Sequence, residues 1–138
     1  MFSLFKKKPE TKAELQNISH QLSLYKQMEK ITNSGLWYID LKTGQLTWSE
    51  GTYDLYDLNY EEVYNLKEIM DNYVHESDKA KIYMALNACI RNGTPLDVVH
   101  RLITPEKKIK TIKAKASAMY DEDKKIVGIV GVATLLDG

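Results

Sequence analysis

Cysteine is almost missing from this sequence: Cys89 stands alone. That excludes an internal disulfide and any multi-cysteine zinc site, and it fits a reducing compartment, so a cytoplasmic location is expected. Net charge is missing too, because 19 acidic and 19 basic residues cancel. Nothing global therefore points to nucleic acid or to an acidic substrate. No apolar run approaches the roughly 20 residues needed to cross a bilayer. Enzyme signatures are likewise absent. There is no phosphate loop, no Gly-rich dinucleotide turn, no His-x-x-x-His pair and no nucleophile–base–acid set. Asp121, Glu122 and Asp123 sit together beside Lys124 and Lys125 and read as a solvated turn. The chain carries no internal repeat and no low-complexity segment.

What is present suits one soluble globular domain. The chain has 138 residues, 43% of them hydrophobic and 28% charged, which is an ordinary balance. Residues 1–10, MFSLFKKKPE, place Phe2, Leu4 and Phe5 before three lysines. A signal peptide reverses that order, so this stretch reads as a flexible basic N-terminus; weak contact of the lysines with anionic lipid is the alternative. Residues 11–33 read as an amphipathic helix. Leu15, Ile18, Leu22 and Tyr25 form one stripe, and Leu24, Met28 and Ile31 form a second. Two stripes need two partners. One is the domain's own sheet; the other is the same helix of a second copy, through the seven-residue step of a short coiled-coil seam.

The main domain spans 34–136. Gly35–Asp40 is apolar on both faces, as a central strand is. Leu41–Gly44 turns the chain, and Gln45–Ser49 alternates as an edge strand with Leu46 and Trp48 inward. Ser49 is placed to cap a short helix carrying Tyr53, Leu55 and Tyr56. Asn59 and Glu62 have capping-box spacing for another short turn. Leu66, Ile69, Met70, Tyr73 and Val74 form a helical face. Ser77 or Asp78 then opens a long helix with Ile82, Ala85, Leu86, Cys89 and Ile90 on one side, stopped by Asn92-Gly93. Three strands follow: Leu96–Ile103, Ile109–Tyr120 and Ile126–Leu136. The last is again apolar on both faces. Pairing the two doubly apolar strands side by side puts the opening hairpin on one flank and the closing meander on the other. The expected fold is α+β: a five-stranded antiparallel sheet, helices on one face, and the N-terminal helix free to cover the other face or to dimerise.

These pieces resemble a PAS domain, in particular the PAS_3-like bacterial sensory subtype, over about Ser34 to Thr134. Gly35, Trp37 and Asp40 match its G-x-W-x-x-D, and Trp48, Ser49 and Tyr53 match the strand ending W-S and the helix tyrosine. HESD (His75–Asp78) stands where the family often has H-P-D-D, Arg101 at its late-strand arginine, and Gly128, Gly131 and Val132 at its G-x-x-G-V. The chain departs from the pattern at Thr111, where many members have tryptophan, and it ends without the D-I-T that couples many sensors to a following helix.

The resemblance implies a ligand cavity between helices and sheet. Trp37, Trp48, Tyr53, Tyr56 and Tyr73 either line it or fill the core. Ala114, Ala116 and Ala118 leave space that Tyr73 and Met70 or a small molecule fills. Cys89 lies outside the motif that forms flavin adducts in relatives and reads as a buried structural cysteine. The long helix lacks the histidine that ligates haem in gas-sensing relatives. Covalent flavin chemistry and haem therefore have no support in the sequence, and the cofactor is unknown. His75 reads as a capping residue, His100 as a partly buried, hydrogen-bonded histidine on a strand facing the pocket, and His20 as solvated. Arg101 either binds a ligand carboxylate or pairs with an acid on the surface. The expected function is a cytoplasmic, homodimeric sensor for an output domain such as a histidine kinase, chemotaxis receptor or nucleotide cyclase, encoded beyond this chain. A ligand-free protein–protein scaffold is the alternative, and an enzyme resting on His75 and His100 is a third option. No metal site is expected.

Overall fold

The computed structural model describes residues 11–138, so the N-terminal basic segment at 1–10 lies outside the described residues. The first helix, α1, runs Lys12–Thr32. The Thr11 side chain caps it by accepting from the Glu14 N–H at 3.0 Å. Asn33 stops it in the left-handed conformation, φ 50°. Strand β1 (Ser34–Asp40) follows at once, then β2 (Leu46–Trp48). Helices α2 (Glu50–Tyr56) and α3 (Leu66–Tyr73), a 3₁₀ turn (Glu76–Asp78) and α4 (Lys79–Asn92) form the middle. Strands β3 (Leu96–Ile103), β4 (Ile109–Tyr120) and β5 (Ile126–Asp137) close the chain.

The five strands form one antiparallel sheet in the order β2-β1-β5-β4-β3. The first and last strands are neighbours, with Tyr38 opposite Val130 and Ile39 opposite Ile129. This is the pairing that the doubly apolar strands predict. One face carries Ile39, Leu46, Val98, Leu102, Ile112, Ala114, Ile129 and Ala133, all buried under Leu55, Ile69, Met70, Ile82 and Leu86 from the helices. Each large side chain buried there contributes about 1.5–3 kcal/mol.

Two glycines of β5 make room for aromatic rings of β1. A Cβ at Gly131 would lie 2.4 Å from the Trp37 ring, and one at Gly128 would lie 2.4 Å from the Tyr38 hydroxyl. The G-x-x-G spacing thus seats one ring on each side of the sheet, because Trp37 and Tyr38 point to opposite faces.

Three local expectations need correction. First, α1 does not cover the outer face of the sheet: it buries no residue, and Leu36, Val99 and Val130 on that face stay exposed. Its last turn is tied instead to the start of α2 (below). Second, Ser49 occupies the cap position of α2 but makes no cap bond with its side chain. Third, Asn59 and Glu62 make the expected short turn, through Glu62 N–H to Asn59 C=O at 3.2 Å, but not a capping box, because Asn59 Oδ1 accepts from the Glu61 N–H instead. The capping box is at Asn65 and Glu68, where each side chain accepts the other's backbone N–H.

Candidate functional site: an apolar chamber with one orphaned polar atom

Between the sheet and the helices lies a chamber of about 80 Å³. Trp37 and Ile39 reach it from β1, Tyr56 from α2, Met70 from α3, His100 from β3 and Ala114 from β4. No Asp, Glu, Lys or Arg lines it, so an ion inside would find no counter-charge to repay its desolvation.

His100 arrives there by simple alternation. In β3, Leu96, Val98, His100 and Leu102 are buried while Asp97 and Val99 face solvent. His100 as a whole is 7% exposed. Among the described residues, His100 Nδ1 is the one buried side-chain polar atom without a hydrogen-bond partner. Burial holds the imidazole below its ordinary pKa, and the neighbouring Arg101 backbone offsets this only in part. The expectation of a hydrogen-bonded histidine is therefore not met at Nδ1. The wall around it is mostly apolar, and the nearby Arg101 carbonyl accepts the His75 N–H at 3.0 Å. Trp37, Trp48, Thr52 and Tyr56 bring the other polar groups of the wall, and of these the Thr52 hydroxyl donates to the Leu36 carbonyl at 2.7 Å.

Arg101, one residue on, points away from the chamber and grips Asp78. Its Nε and terminal nitrogen donate to the two carboxylate oxygens at 3.0 and 2.9 Å, and its backbone N–H adds a third bond at 2.7 Å. The Arg101 guanidinium beside Asp78 holds its carboxyl far below the usual range, against the opposing pull of burial. Arg101 thus pairs with an acid rather than standing free for a ligand carboxylate, but that acid, Asp78, is buried and not on the surface as expected. Asp78 precedes α4 yet does not cap it; its carboxylate straps the helix start to β3. His75 takes the capping role, with Nδ1 accepting the Ser77 N–H at 3.2 Å.

On the chamber wall, Trp48 organises the tyrosines. It stacks on Tyr56 with centroids 4.7 Å apart and on Tyr64 at 6.0 Å, and it meets Tyr53 edge-on at 5.1 Å. Tyr64 in turn meets Tyr73 edge-on at 6.3 Å. Tyr64 is the aromatic that sequence reasoning missed, because it lies in an irregular segment with no periodicity. Its only signal is the density of tyrosines between Tyr53 and Tyr73.

Of the sequence candidates, Trp37, Trp48, Tyr56, Met70, His100 and Ala114 meet at the chamber, whereas Tyr53, Tyr73, Cys89, Ala116 and Ala118 do not line it. Tyr53 and Tyr73 belong to the tyrosine cluster. Cys89 is fully buried in the core, and burial raises its thiol pKa. Ala116 faces Gly131 across the sheet, next to the Trp37 ring that fills the space over that glycine.

The remaining tie joins α1 to this unit. Glu29, near the end of α1, accepts the Leu36 N–H at 2.9 Å, the Gly51 N–H at 3.3 Å and the Ser49 hydroxyl. Ser49 is thereby diverted from capping, and the Glu29 carboxylate takes one N-terminal donor of α2, the Gly51 N–H, in its place.

A single antiparallel sheet in the order β2-β1-β5-β4-β3, with helices over one face and a chamber beneath them, defines the α+β class built around an internal cavity. The PAS fold family (PAS_3) matches residues 45–133, well over half of the chain, and the chain belongs to that family. A sensory box histidine kinase/response regulator from Burkholderia thailandensis superposes with TM-score 0.68 at 20% identity, covering 82% of this chain and 84% of that one. The N-terminal domain of a diguanylate cyclase with PAS/PAC sensor from Marinobacter aquaeolei gives 0.67 at 11% identity, covering 75% and 94%. The PAS domain of a protein from Colwellia psychrerythraea gives 0.62 at 20%, covering 83% and 98%. At these identities the likeness is one of fold. No curated protein matches the chain. Among the described residues, no helix is long and apolar enough to cross a membrane, and no group of three or more His, Cys, Asp or Glu is placed to hold a metal.

Proposed function

We propose that this chain is a non-catalytic, cytoplasmic sensor module whose chamber takes a small molecule and whose α1 pairs with a second copy, biasing an attached output domain such as a histidine kinase, chemotaxis receptor or diguanylate cyclase. The observation that carries the reading is the apolar chamber under the helices of a PAS fold. The family is used as a sensor in the kinase and cyclase proteins named above. Pairing draws support from Leu15, Ile18, Leu22 and Tyr25, which are 51–54% exposed on one stripe of a helix with no buried residue. Signalling in such a module is a shift between two packings with different ligand affinity.

A ligand-free scaffold is the second reading, and the chamber's size favours it. About 80 Å³ is well below the ~300–1,000 Å³ of drug-sized ligand sites. Neither a flavin nor a haem ring fits that volume. Native mass spectrometry on the purified chain separates the two readings. A small adduct, or shifts of chamber resonances on exposure to small molecules, supports sensing; a bare mass with unresponsive resonances supports the scaffold. Sedimentation of the intact chain and of a version lacking residues 1–32 tests pairing. A dimer only for the intact chain is expected, and two monomers would end that part of the proposal.

A further inference from the structure

The chamber reading leaves open what chemistry the cavity selects, and His100 bears on that. This inference rests on the chamber being a ligand site. Three observations converge. The wall carries no charged side chain. The Thr52 hydroxyl on that wall already donates its proton to the Leu36 carbonyl. His100, more than nine-tenths buried, keeps Nδ1 without a partner. An unpaired buried polar atom costs roughly 1–3 kcal/mol, so an occupant that satisfies it gains selectively over one that cannot.

We propose that His100 Nδ1 is the hydrogen-bonding anchor of the chamber, and that the chamber takes a small uncharged molecule with one hydroxyl group and an otherwise apolar body. Charge is ruled out by the wall. A hydroxyl is favoured over a carbonyl because it both donates and accepts, and so pairs with either tautomer of a neutral imidazole, and over an aliphatic amine because that group is charged near neutral pH and the wall offers no counter-charge. Size follows from volume: an apolar cavity of about 150 Å³ accepts benzene, so one of about 80 Å³ takes roughly three or four non-hydrogen atoms by that scale. Selectivity then arises as in other buried polar sites. A molecule of the same size without the hydroxyl leaves Nδ1 unpaired and is disfavoured.

Two probes on the full chain test this, with 1-propanol reading the anchor and xenon reading the cavity alone. Amide resonances of Ile69, Ala114 and Ala133 and the imidazole nitrogen signals of His100 are followed by NMR. In the wild type, 1-propanol should shift the lining amides saturably and move the Nδ1 signal, and xenon should shift the same amides without a hydrogen-bond change at Nδ1. His100→Leu should weaken 1-propanol roughly three- to tenfold and leave xenon binding intact, with His100→Gln regaining part of the loss. Equal 1-propanol affinity in wild type and His100→Leu overturns the anchor, as does a wild-type Nδ1 signal that ignores 1-propanol while the lining amides respond. The second result assigns Nδ1 to a trapped water and needs no folded variant. In both cases xenon uptake keeps the chamber reading alive. Silence of the lining amides to both probes removes the chamber reading as well.

Discussion

Helices α1 and α4 both carry apolar residues at three- and four-residue spacing, yet α4 buries Ile82, Leu86 and Cys89 while α1 buries nothing. Periodicity reports that a helix has an apolar face; it does not report what covers that face. The sheet supplies the cover for α4. For α1, nothing among the described residues does. The two helices are nevertheless anchored alike, each by one carboxylate at the end nearest the sheet. Asp78 ties the start of α4 to Arg101 of β3, and Glu29 ties the end of α1 to Leu36, Ser49 and Gly51. The bonds differ in kind. Asp78 is buried and meets a guanidinium in two-pronged geometry, whereas Glu29 meets neutral N–H and O–H donors nearer solvent. One helix is part of the core, and the other is a lever fixed at one end.

The sharpest way to break this contrast is truncation of the apolar faces. Leu86→Ala on α4 should cost about 2–5 kcal/mol in a urea melt, because Leu86 is 5% exposed among core neighbours. A cost below 1 kcal/mol would mean that α4 is not core. Next in size is Asp78→Asn, expected to cost about 1.5–3 kcal/mol at pH 7. Its acid behaviour sharpens the point. The folded carboxyl titrates below its unfolded value, so this stabilisation is complete above the ordinary Asp pKa of about 3.9 and is lost as pH falls below it. The wild type should lose stability between pH 4 and 3 more steeply than Asp78→Asn, and parallel acid limbs would refute the strap.

A smaller effect of the same kind belongs to His100 in a higher pH window. The folded imidazole titrates below its unfolded value. Below about pH 6.5 the unfolded chain therefore binds a proton that the native state resists, and stability falls with pH. His100→Leu should flatten the melts between pH 6.5 and 5, and an unchanged slope there would place the titration elsewhere. Glu29→Gln should cost about 1 kcal/mol and speed hydrogen exchange at the Leu36 and Gly51 amides while sparing those of α4. If Leu36 and Gly51 stay as protected as in the wild type, Glu29 is no tether. Smallest is Leu22→Ala on α1, within about 0.5 kcal/mol for a monomer; its effect should appear instead as a lower dimer fraction in sedimentation. A destabilised monomer would show that α1 packs on its own domain.

The strands were legible almost to the residue. β3 and β4 lie at Leu96–Ile103 and Ile109–Tyr120, as read from alternation and the turn between them, because a half-buried strand writes its face into every second residue. The sheet order followed from two strands that are apolar on both sides. The site was legible in part. Trp37, Tyr56, Met70, His100 and Ala114 converge because family motif and periodicity point to the same face. Ala116 was misread because small size marks room for a ring as readily as room for a ligand, and Trp37 lies over its neighbour Gly131. The partnership of Arg101 with Asp78 joins residues 23 positions apart, beyond the reach of local pattern.

From its residues alone the chain determined where strands and helices begin and end, which side of each is apolar, and which family it falls in, because these follow from spacing along the backbone. Only the folded arrangement decided which carboxylates became anchors, that Ser49 gave up its capping role to Glu29, that one ring nitrogen of His100 was left without a partner, and that α1 stayed bare. Those outcomes depend on which atoms from distant segments come within about 3 Å of one another, and one-dimensional order does not encode that distance directly.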